Sequence, residues 1–99
     1  MTVAQIAYIR PKAGKEAEVE RVLRGLVDAA RQEEGTLLYL LNRREDEFVF
    51  YEMFADADAL KVHSGNDALR GLVARADQLL DGGIKVEKVT YLDGAGRFS

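Results

Sequence analysis

The sequence predicts an α+β fold of the ferredoxin-like class, with the element order βαββαβ and one four-stranded antiparallel sheet. Four short stretches carry the dense or alternating apolar residues typical of strands. Two intervening stretches carry apolar residues at three- and four-residue steps, as amphipathic helices do. The 99 residues have the length of a single domain, which we take to be residues 1–99.

The first strand and the first helix lie on either side of Pro11. Residues 3–10 are apolar on both alternating faces, and Pro11 ends the strand because it cannot donate to a sheet. A helix is predicted after Pro11. Gly35 is placed to end this helix, because a glycine at that point can adopt the left-handed backbone conformation. Residues 15–34 are predicted to form that helix from the spacing of six apolar residues: Val19, Val22, Leu23, Leu26, Val27 and Ala30.

Two further strands follow at residues 36–44 and 47–55, which are rich in aromatic and aliphatic side chains. The polar connection Arg44-Glu45-Asp46 is short enough for a hairpin, so these strands should pair antiparallel.

The second half of the chain predicts a helix pair and a last strand. Asp56 is a good N-cap for a short helix over residues 56–63, and Asn66 caps a longer helix that Gly82-Gly83 ends. The last strand covers residues 84–92. Its apolar residues change parity between Val86 and Val89, which predicts either a bulge near residues 87–88 or burial of both faces.

Several strands are apolar on both faces, although the helices of this fold cover only one face of the sheet. The second face needs its own cover, and the same sheet of a second chain would provide it. We therefore predict a homodimer.

Composition excludes several classes of function. The net charge of −3 argues against nucleic-acid binding, since no excess of positive charge attracts phosphates. No apolar run approaches the roughly 18–20 residues of a spanning helix, so no membrane partner is expected. The first residues lack the basic-then-apolar pattern of a signal peptide, and we expect a cytoplasmic protein.

The chemistry available to the side chains is also limited. With no cysteine and one histidine, the chain lacks the nitrogen and sulfur ligands of a usual zinc site, and we expect no resident metal. Ser64 adjoins His63 on a helix, where neighbouring side chains diverge, so serine-hydrolase chemistry is excluded.

The candidate site residues are polar groups within apolar strands. Strand alternation places Glu52 among phenylalanines, where its carboxyl group must find a partner or have its pKa raised by desolvation. Glu52 could equally be a structural residue paired with an arginine or tyrosine. His63 could accept a proton, or could be a helix-end residue satisfied by backbone carbonyls or water. Further candidates for contacting a flat aromatic ligand are Tyr8, Tyr39, Asn42, Tyr51 and Tyr91.

The same residues carry a family resemblance that spans nearly the whole chain. The sequence resembles the antibiotic biosynthesis monooxygenase superfamily, including its quinol monooxygenase-like members. The resemblance lies in the following segments and residues: 35–39 (GTLLY), 48–54 (FVFYEMF), Asp56, Ala59, Leu60 and His63.

The resemblance implies a dimeric α+β barrel with a pocket between sheet and helices in each subunit. It also implies oxidation of a quinol-like substrate by dioxygen without flavin, haem or metal. His63 and Glu52 match the motif and are the implied catalytic residues, with Tyr39 and Tyr51 beside them. Phe54 stands where many members carry tryptophan, which disfavours haem degradation that depends on that tryptophan.

The expected function is therefore a cofactor-independent monooxygenase of a small phenolic or quinol-type aromatic. His63 and Glu52 would be catalytic, and the substrate-binding residues would be Tyr8, Tyr39, Asn42, Tyr51 and Phe54. Two alternatives remain open. One is a non-catalytic dimer that binds a small ligand. The other is an isomerase of a phosphorylated autoinducer-like metabolite, which would need a cationic corner in the pocket, for example Arg10 and Arg70.

Overall fold

A computed structural model describes residues 1–97 and confirms the ferredoxin-like α+β fold. Its four strands form one antiparallel sheet in the order β2-β3-β1-β4. The elements are β1 Val3–Pro11, α1 Glu16–Ala30, β2 Thr36–Arg44, β3 Glu47–Phe54, α2 Ala57–Ser64, α3 Asp67–Ala74, α4 Ala76–Leu79 and β4 Leu80–Val89.

The hydrophobic core lies between the helices and one face of the sheet. Alternation along β1 and β3 turns every second side chain towards the helices, and cross-strand register keeps these side chains on one face. The helices contribute the apolar stripe that the sequence predicts for α1, Leu72 of α3 and Leu79 of α4. The core side chains include Ala7, Ile9, Val19, Leu23, Leu26, Phe48, Phe50 and Leu72.

Both predicted N-caps are confirmed. The side chain of Asp56 accepts a hydrogen bond from the backbone N–H of Ala59, and that of Asn66 accepts one from Leu69. These caps fix where α2 and α3 begin, and they thereby fix the position of His63 near the end of α2.

Gly35 serves packing and not helix termination. The helix α1 ends at Ala30, four residues before the predicted end, and φ of Gly35 is not in the left-handed region. A Cβ atom at position 35 would lie 2.4 Å from the Cβ of Ala59. The glycine therefore lets the start of β2 approach α2 closely.

The last strand differs most from its prediction. Strand β4 begins at Leu80 and ends at Val89, and Gly82 and Gly83 lie inside it with positive φ instead of beyond a helix. The register with β1 is continuous from Ile84 to Val89, so the bulge predicted near residues 87–88 is wrong. The shift in register between β1 and β4 lies at residues 81–83, where Gly82 and Gly83 can adopt the positive φ that it requires. Within the single chain most of β4 is exposed, so burial of both its faces would require the predicted partner chain.

The face of the sheet away from the helices, which we call the open face, carries several apolar side chains that the helices do not cover. Tyr51 is 48% exposed there and Val89 45% exposed. Side chains of the same face that are partly buried include Ile6, Leu38, Leu40 and Met53. The predicted homodimer would cover this face and stays a prediction. No helix within residues 1–97 is long and apolar enough to cross a membrane.

The close contact at Gly35 predicts opposite effects for two glycine-to-alanine substitutions. Gly35→Ala should lower the free energy of unfolding by about 1–3 kcal/mol, because the added methyl group overlaps Ala59. Gly25→Ala, in the exposed interior of α1 with free space around it, should raise it by about 0.5–1 kcal/mol. Urea unfolding of both variants measures this. Equal stability of the two would contradict the packing role of Gly35.

Candidate functional site

A cavity of about 320 Å³ lies between the sheet and helices α2 and α3. Its size is at the lower end of the range of about 300–1,000 Å³ typical of small-molecule pockets. The sheet contributes Gln5, Ala7, Ile9, Tyr39, Phe50, Glu52, Ile84 and Val86. The helices contribute Leu26, His63, Ser64, Leu69 and Val73.

His63 is held on the helix side of this cavity by a partly buried carboxylate. The ring is 3% exposed, and its Nδ1 lies 3.0 Å from Oε1 of Glu33, which belongs to the turn after α1. Asn66 Nδ2 donates to the other oxygen of Glu33 at 2.9 Å, and the Thr36 hydroxyl donates to Oε1 at 2.8 Å. One carboxylate thus joins the end of α1, the start of β2, the end of α2 and the cap of α3.

The charge of Glu33 determines which ring nitrogen of His63 carries the proton. Burial alone would raise the pKa of Glu33, but the hydrogen bonds from Asn66, His63 and Thr36 outweigh burial and hold that pKa below its ordinary value. An ionised carboxylate can only accept hydrogen bonds, so Nδ1 of His63 donates to it. The lone pair of the neutral ring then lies on Nε2.

Aromatic side chains fix the plane of the imidazole ring. Tyr39 contacts it edge-on with centroids 4.7 Å apart, and Phe54 lies tilted at 4.9 Å. Tyr39 is itself stacked on Phe50 at 4.3 Å. Burial, followed by the charges of Glu52 and Glu33, raises the pKa of Tyr39, so its hydroxyl group stays protonated and can donate a hydrogen bond.

Glu52 lies on the sheet side of the same cavity and is buried. Its Oε1 accepts a hydrogen bond of 2.8 Å from Gln5 Nε2, and Lys88 Nζ donates to Gln5 Oε1 at 3.0 Å. Desolvation raises the pKa of Glu52, although the Gln5 hydrogen bond and the charges of His63 and Lys88 partly oppose this shift. The partner of Glu52 is therefore a glutamine, not the arginine or tyrosine considered from sequence.

The structure brings some of the predicted site residues together and separates others. His63, Glu52 and Tyr39 line one cavity, and Phe54 packs behind the imidazole ring. The other three predicted substrate-binding residues are on the open face of the sheet and do not line that cavity: Tyr8, Asn42 and Tyr51. Tyr91 lies beyond β4 and is 43% exposed.

Sequence reasoning missed Glu33, Gln5 and Lys88. Gln5 could have been found, because it is a polar residue on the inward parity of an otherwise apolar strand. Glu33 carried no such signal, since it follows a helix whose acidic residues mostly face solvent. Lys88 became significant only once the register of β4 against β1 placed it opposite Gln5.

No lysine or arginine lines the cavity in the described part of the chain. Arg10 is on the open face and pairs with Asp46 at 3.2 Å, and Arg70 is exposed on α3. The cationic corner needed by a phosphorylated ligand is therefore missing from these positions. Across residues 1–97 the acidic and histidine side chains do not form a group of three suited to a metal ion.

A larger surface groove of about 1050 Å³ runs between α1 and β2. It is bordered by charged residues of α1 such as Arg24, Asp28 and Arg31, and it includes neither His63 nor Glu52. His63 and Glu52, the predicted catalytic residues, line the smaller cavity, which we therefore take as the candidate active site.

Comparison with known proteins gives consistent matches. The family model described as "Antibiotic biosynthesis monooxygenase" matches residues 2–75. A Bacillus subtilis (strain 168) protein named "Putative monooxygenase YcnE" is 34% identical over 83 residues, which cover 81% of this chain and 87% of that protein.

Solved structures match over nearly the whole chain. Rv0793 from Mycobacterium tuberculosis superposes with a TM-score of 0.87 at 26% identity, covering 97% of this chain and 100% of that one. A protein from Caulobacter crescentus CB15, described as a putative antibiotic biosynthesis monooxygenase, superposes with a TM-score of 0.82 at 27% identity. That match covers 93% of this chain and 91% of the other.

The carboxyl groups of Glu33 and Glu52 should have opposite effects on stability. Glu33, with a lowered pKa, contributes stability that is complete above the ordinary glutamate pKa of 4.5 and is lost as the pH falls through its folded value. Glu33→Gln should therefore lower the free energy of unfolding at pH 7 by about 1.5–3 kcal/mol, the range for hydrogen bonds to a charged group.

Glu52→Gln is the matched substitution. Because its pKa is raised, Glu52 destabilises the fold as the pH rises above the ordinary value, so Glu52→Gln should raise the free energy of unfolding at pH 7. Urea unfolding between pH 4 and pH 8 measures both effects. A loss of stability in both variants would contradict the assigned directions.

Proposed function

Because the chain belongs to the antibiotic biosynthesis monooxygenase family, we propose that it is a cofactor-independent monooxygenase of a small phenolic or quinol-type aromatic. The family and the name of the Bacillus subtilis relative support a monooxygenase-like function. The observation that carries the finer proposal is the contact between Glu33 and His63, because the imidazole ring it holds lines an aromatic-walled cavity.

In this proposal His63 is the general base. Nε2 accepts the proton of a phenolic hydroxyl group, and the imidazolium that forms is stabilised by the Glu33 carboxylate on Nδ1. Tyr39 and Phe54 keep the ring in place during the transfer. Since the carboxylate is already ionised and hydrogen bonded, no reorganisation is needed when the charge appears.

The substrate itself supplies the electrons. A deprotonated quinol is electron-rich and passes an electron to dioxygen, after which the two radicals combine. One oxygen atom stays on the ring, which becomes a hydroxyquinone, and the other leaves as water with two hydrogen atoms of the quinol. Electrons and atoms balance without an external reductant, and the protein's task is to bind the anion and limit water access.

The cavity walls suit a flat ring. Phe50, Ile9, Leu26 and Ile84 are apolar, and the stacked pair of Tyr39 and Phe50 gives one wall a flat aromatic surface. The Tyr39 hydroxyl, kept protonated by burial, can donate a hydrogen bond to a phenolate oxygen. Tyr8, Asn42 and Tyr51 are not part of this proposal within one subunit.

The proposal includes a homodimer formed through the open face. That face presents apolar side chains such as Tyr51, Met53 and Leu40, which the helices of the same chain do not cover. A second copy of the sheet would bury them, and the cavity, on the other side of each sheet, would remain accessible.

A second candidate function is non-catalytic binding of a small aromatic ligand. It is favoured by Phe54, which occupies the position of the tryptophan found in many family members and has no hydrogen-bond donor. The isomerase alternative loses its support, because Arg10 and Arg70 do not line the cavity.

Oxygen consumption separates the two candidates. With a panel of hydroquinones and anthrone-like compounds, His63→Ala should reduce enzymatic oxygen uptake by about 100-fold or more, the usual contribution of a general base. Val62→Ala, which changes the solvent-facing neighbour on the same helix, is the control and should keep wild-type uptake.

Uptake that never exceeds the autoxidation rate of any compound would exclude the monooxygenase. If such compounds nevertheless raise the melting temperature without being consumed, the binding protein is the remaining candidate.

The dimer has its own test. Light scattering after gel filtration should give twice the chain mass of 11.0 kDa. Tyr51→Lys should shift the protein towards monomer, because it places a charge in the proposed interface. Val62→Lys, at an exposed apolar position on α2, should leave the dimer intact. A wild-type monomer at micromolar concentration would contradict the proposal.

A further inference from the structure

A row of polar side chains crosses the sheet on the face that lines the cavity. Lys88 of β4 is paired with Gln5 of β1, and Gln5 is paired with Glu52 of β3. Tyr39 of β2 completes the row opposite Glu52. We call these four residues the polar row. The next row along the same face is apolar throughout and consists of Leu41, Phe50, Ala7 and Val86.

Lys88 fixes the orientation of Gln5 within the polar row. An ammonium group can only donate hydrogen bonds, so the Gln5 atom 3.0 Å from Lys88 Nζ is the amide oxygen. The amide nitrogen of Gln5 then faces Glu52 and donates to its Oε1 at 2.8 Å. Without the ammonium group the amide could turn over, and its oxygen would then face a carboxyl oxygen. Lys88 therefore ensures that Glu52 meets a hydrogen-bond donor.

The second oxygen of Glu52 is open to the cavity. Within residues 1–97, no hydrogen bond involves Oε2, because Gln5 donates to Oε1 alone. No buried side-chain nitrogen or oxygen in the same part of the chain lacks a partner, so Oε2 is not sealed inside the protein. Since Glu52 lines the cavity, this oxygen is accessible to a ligand there. The polar row thus holds one carboxyl oxygen and leaves the other for the ligand.

We propose that Lys88 is a positioning residue of the candidate site, which acts through Gln5 to hold Glu52 with its second oxygen available as a proton acceptor beside His63. This inference rests on the proposed function, since it adds a second acceptor to the same site. Oxidation of a quinol releases two hydroxyl protons, and each acceptor takes one. Both protons then leave with the oxygen atom that becomes water, so His63 and Glu52 end each turnover as they began.

Few charged or titratable groups face Glu52 in the described part of the chain. Lys88 lies at the end of the polar row, Tyr39 adjoins Glu52 from β2, and His63 faces it from α2 with Glu33 behind the ring. Helices α1 and α3 contribute apolar side chains to the cavity. Burial raises the pKa of Glu52, whereas the amide hydrogen bond and the charges of His63 and Lys88 oppose this shift. Loss of the ammonium group should therefore raise that pKa further.

The pKa of Glu52 in the ligand-free protein tests the proposal. Carbon-13 NMR of the glutamate carboxyl groups measures it, and the signal that is missing from Glu52→Gln identifies the residue. Lys88→Met should raise the pKa by about 0.3–0.7, as expected for an ion pair near the surface. Lys88→Arg keeps the charge and the donors and should retain the wild-type value. Lys85→Met, on the same strand but on the open face, is the matched control and should leave the pKa unchanged.

A double-mutant cycle tests whether Lys88 acts through the amide of Gln5. Gln5→Met keeps the approximate size of the side chain and removes both hydrogen bonds, and thermal unfolding verifies that the variant is folded. In this background, Lys88→Met should change the pKa of Glu52 by less than half of its effect in the wild-type protein. An equal effect in both backgrounds would mean that the charge acts directly, and it would overturn the inference.

The pH profile of oxygen uptake provides the second readout. Lys88→Met should shift the acidic limb of the profile to higher pH together with the pKa of Glu52, and Lys85→Met should not. A purely structural Lys88 would lower the melting temperature without moving either quantity, and that result would overturn the inference.

The oxygenase proposal fails separately. A raised pKa in Lys88→Met without oxygen uptake from any quinol keeps Lys88 as a positioning residue and excludes the oxygenase. Oxygen uptake whose pH profile is the same in wild type and Lys88→Met keeps the oxygenase and overturns the inference.

Discussion

The candidate site depends on the hydrogen bonds to the partly buried carboxylate of Glu33. It accepts hydrogen bonds from Thr36, His63 and Asn66, which belong to three different elements or their ends. Such hydrogen bonds to a charged group are among the stronger interactions in proteins. The same charge holds these elements together and leaves Nε2 of His63 free to act as a base. Glu33 therefore contributes both to the stability of the fold and to the proposed chemistry.

The two faces of the sheet have separate roles, because successive side chains of a strand point to opposite faces. On the inner face, Gln5, Glu52 and Tyr39 surround a cavity whose other walls are helices. On the outer face, Tyr51 and its apolar neighbours are left for a partner chain. Glu52 and Tyr51 are neighbours along β3, but their side chains lie on opposite faces of the sheet. One therefore belongs to the proposed active site and the other to the proposed dimer interface.

Local sequence patterns were sufficient to predict the fold, whereas the site depends on contacts between residues that lie far apart in the sequence. Caps at Asp56 and Asn66 and the hairpin could be predicted, because each depends on a few neighbouring residues. Glu33 lies 30 positions from His63, and no local pattern joins them. The faces of Tyr8, Asn42 and Tyr51 follow from alternation, but their distance from His63 depends on which face the helices cover.

Glu33 fixes the protonation pattern of the only histidine in the chain. Nitrogen-15 NMR of the imidazole ring tests it directly, since one histidine gives one unambiguous pair of ring signals. The neutral ring should carry its proton on Nδ1, and Glu33→Gln should weaken that preference. A neutral ring protonated on Nε2 in the wild-type protein would contradict the account.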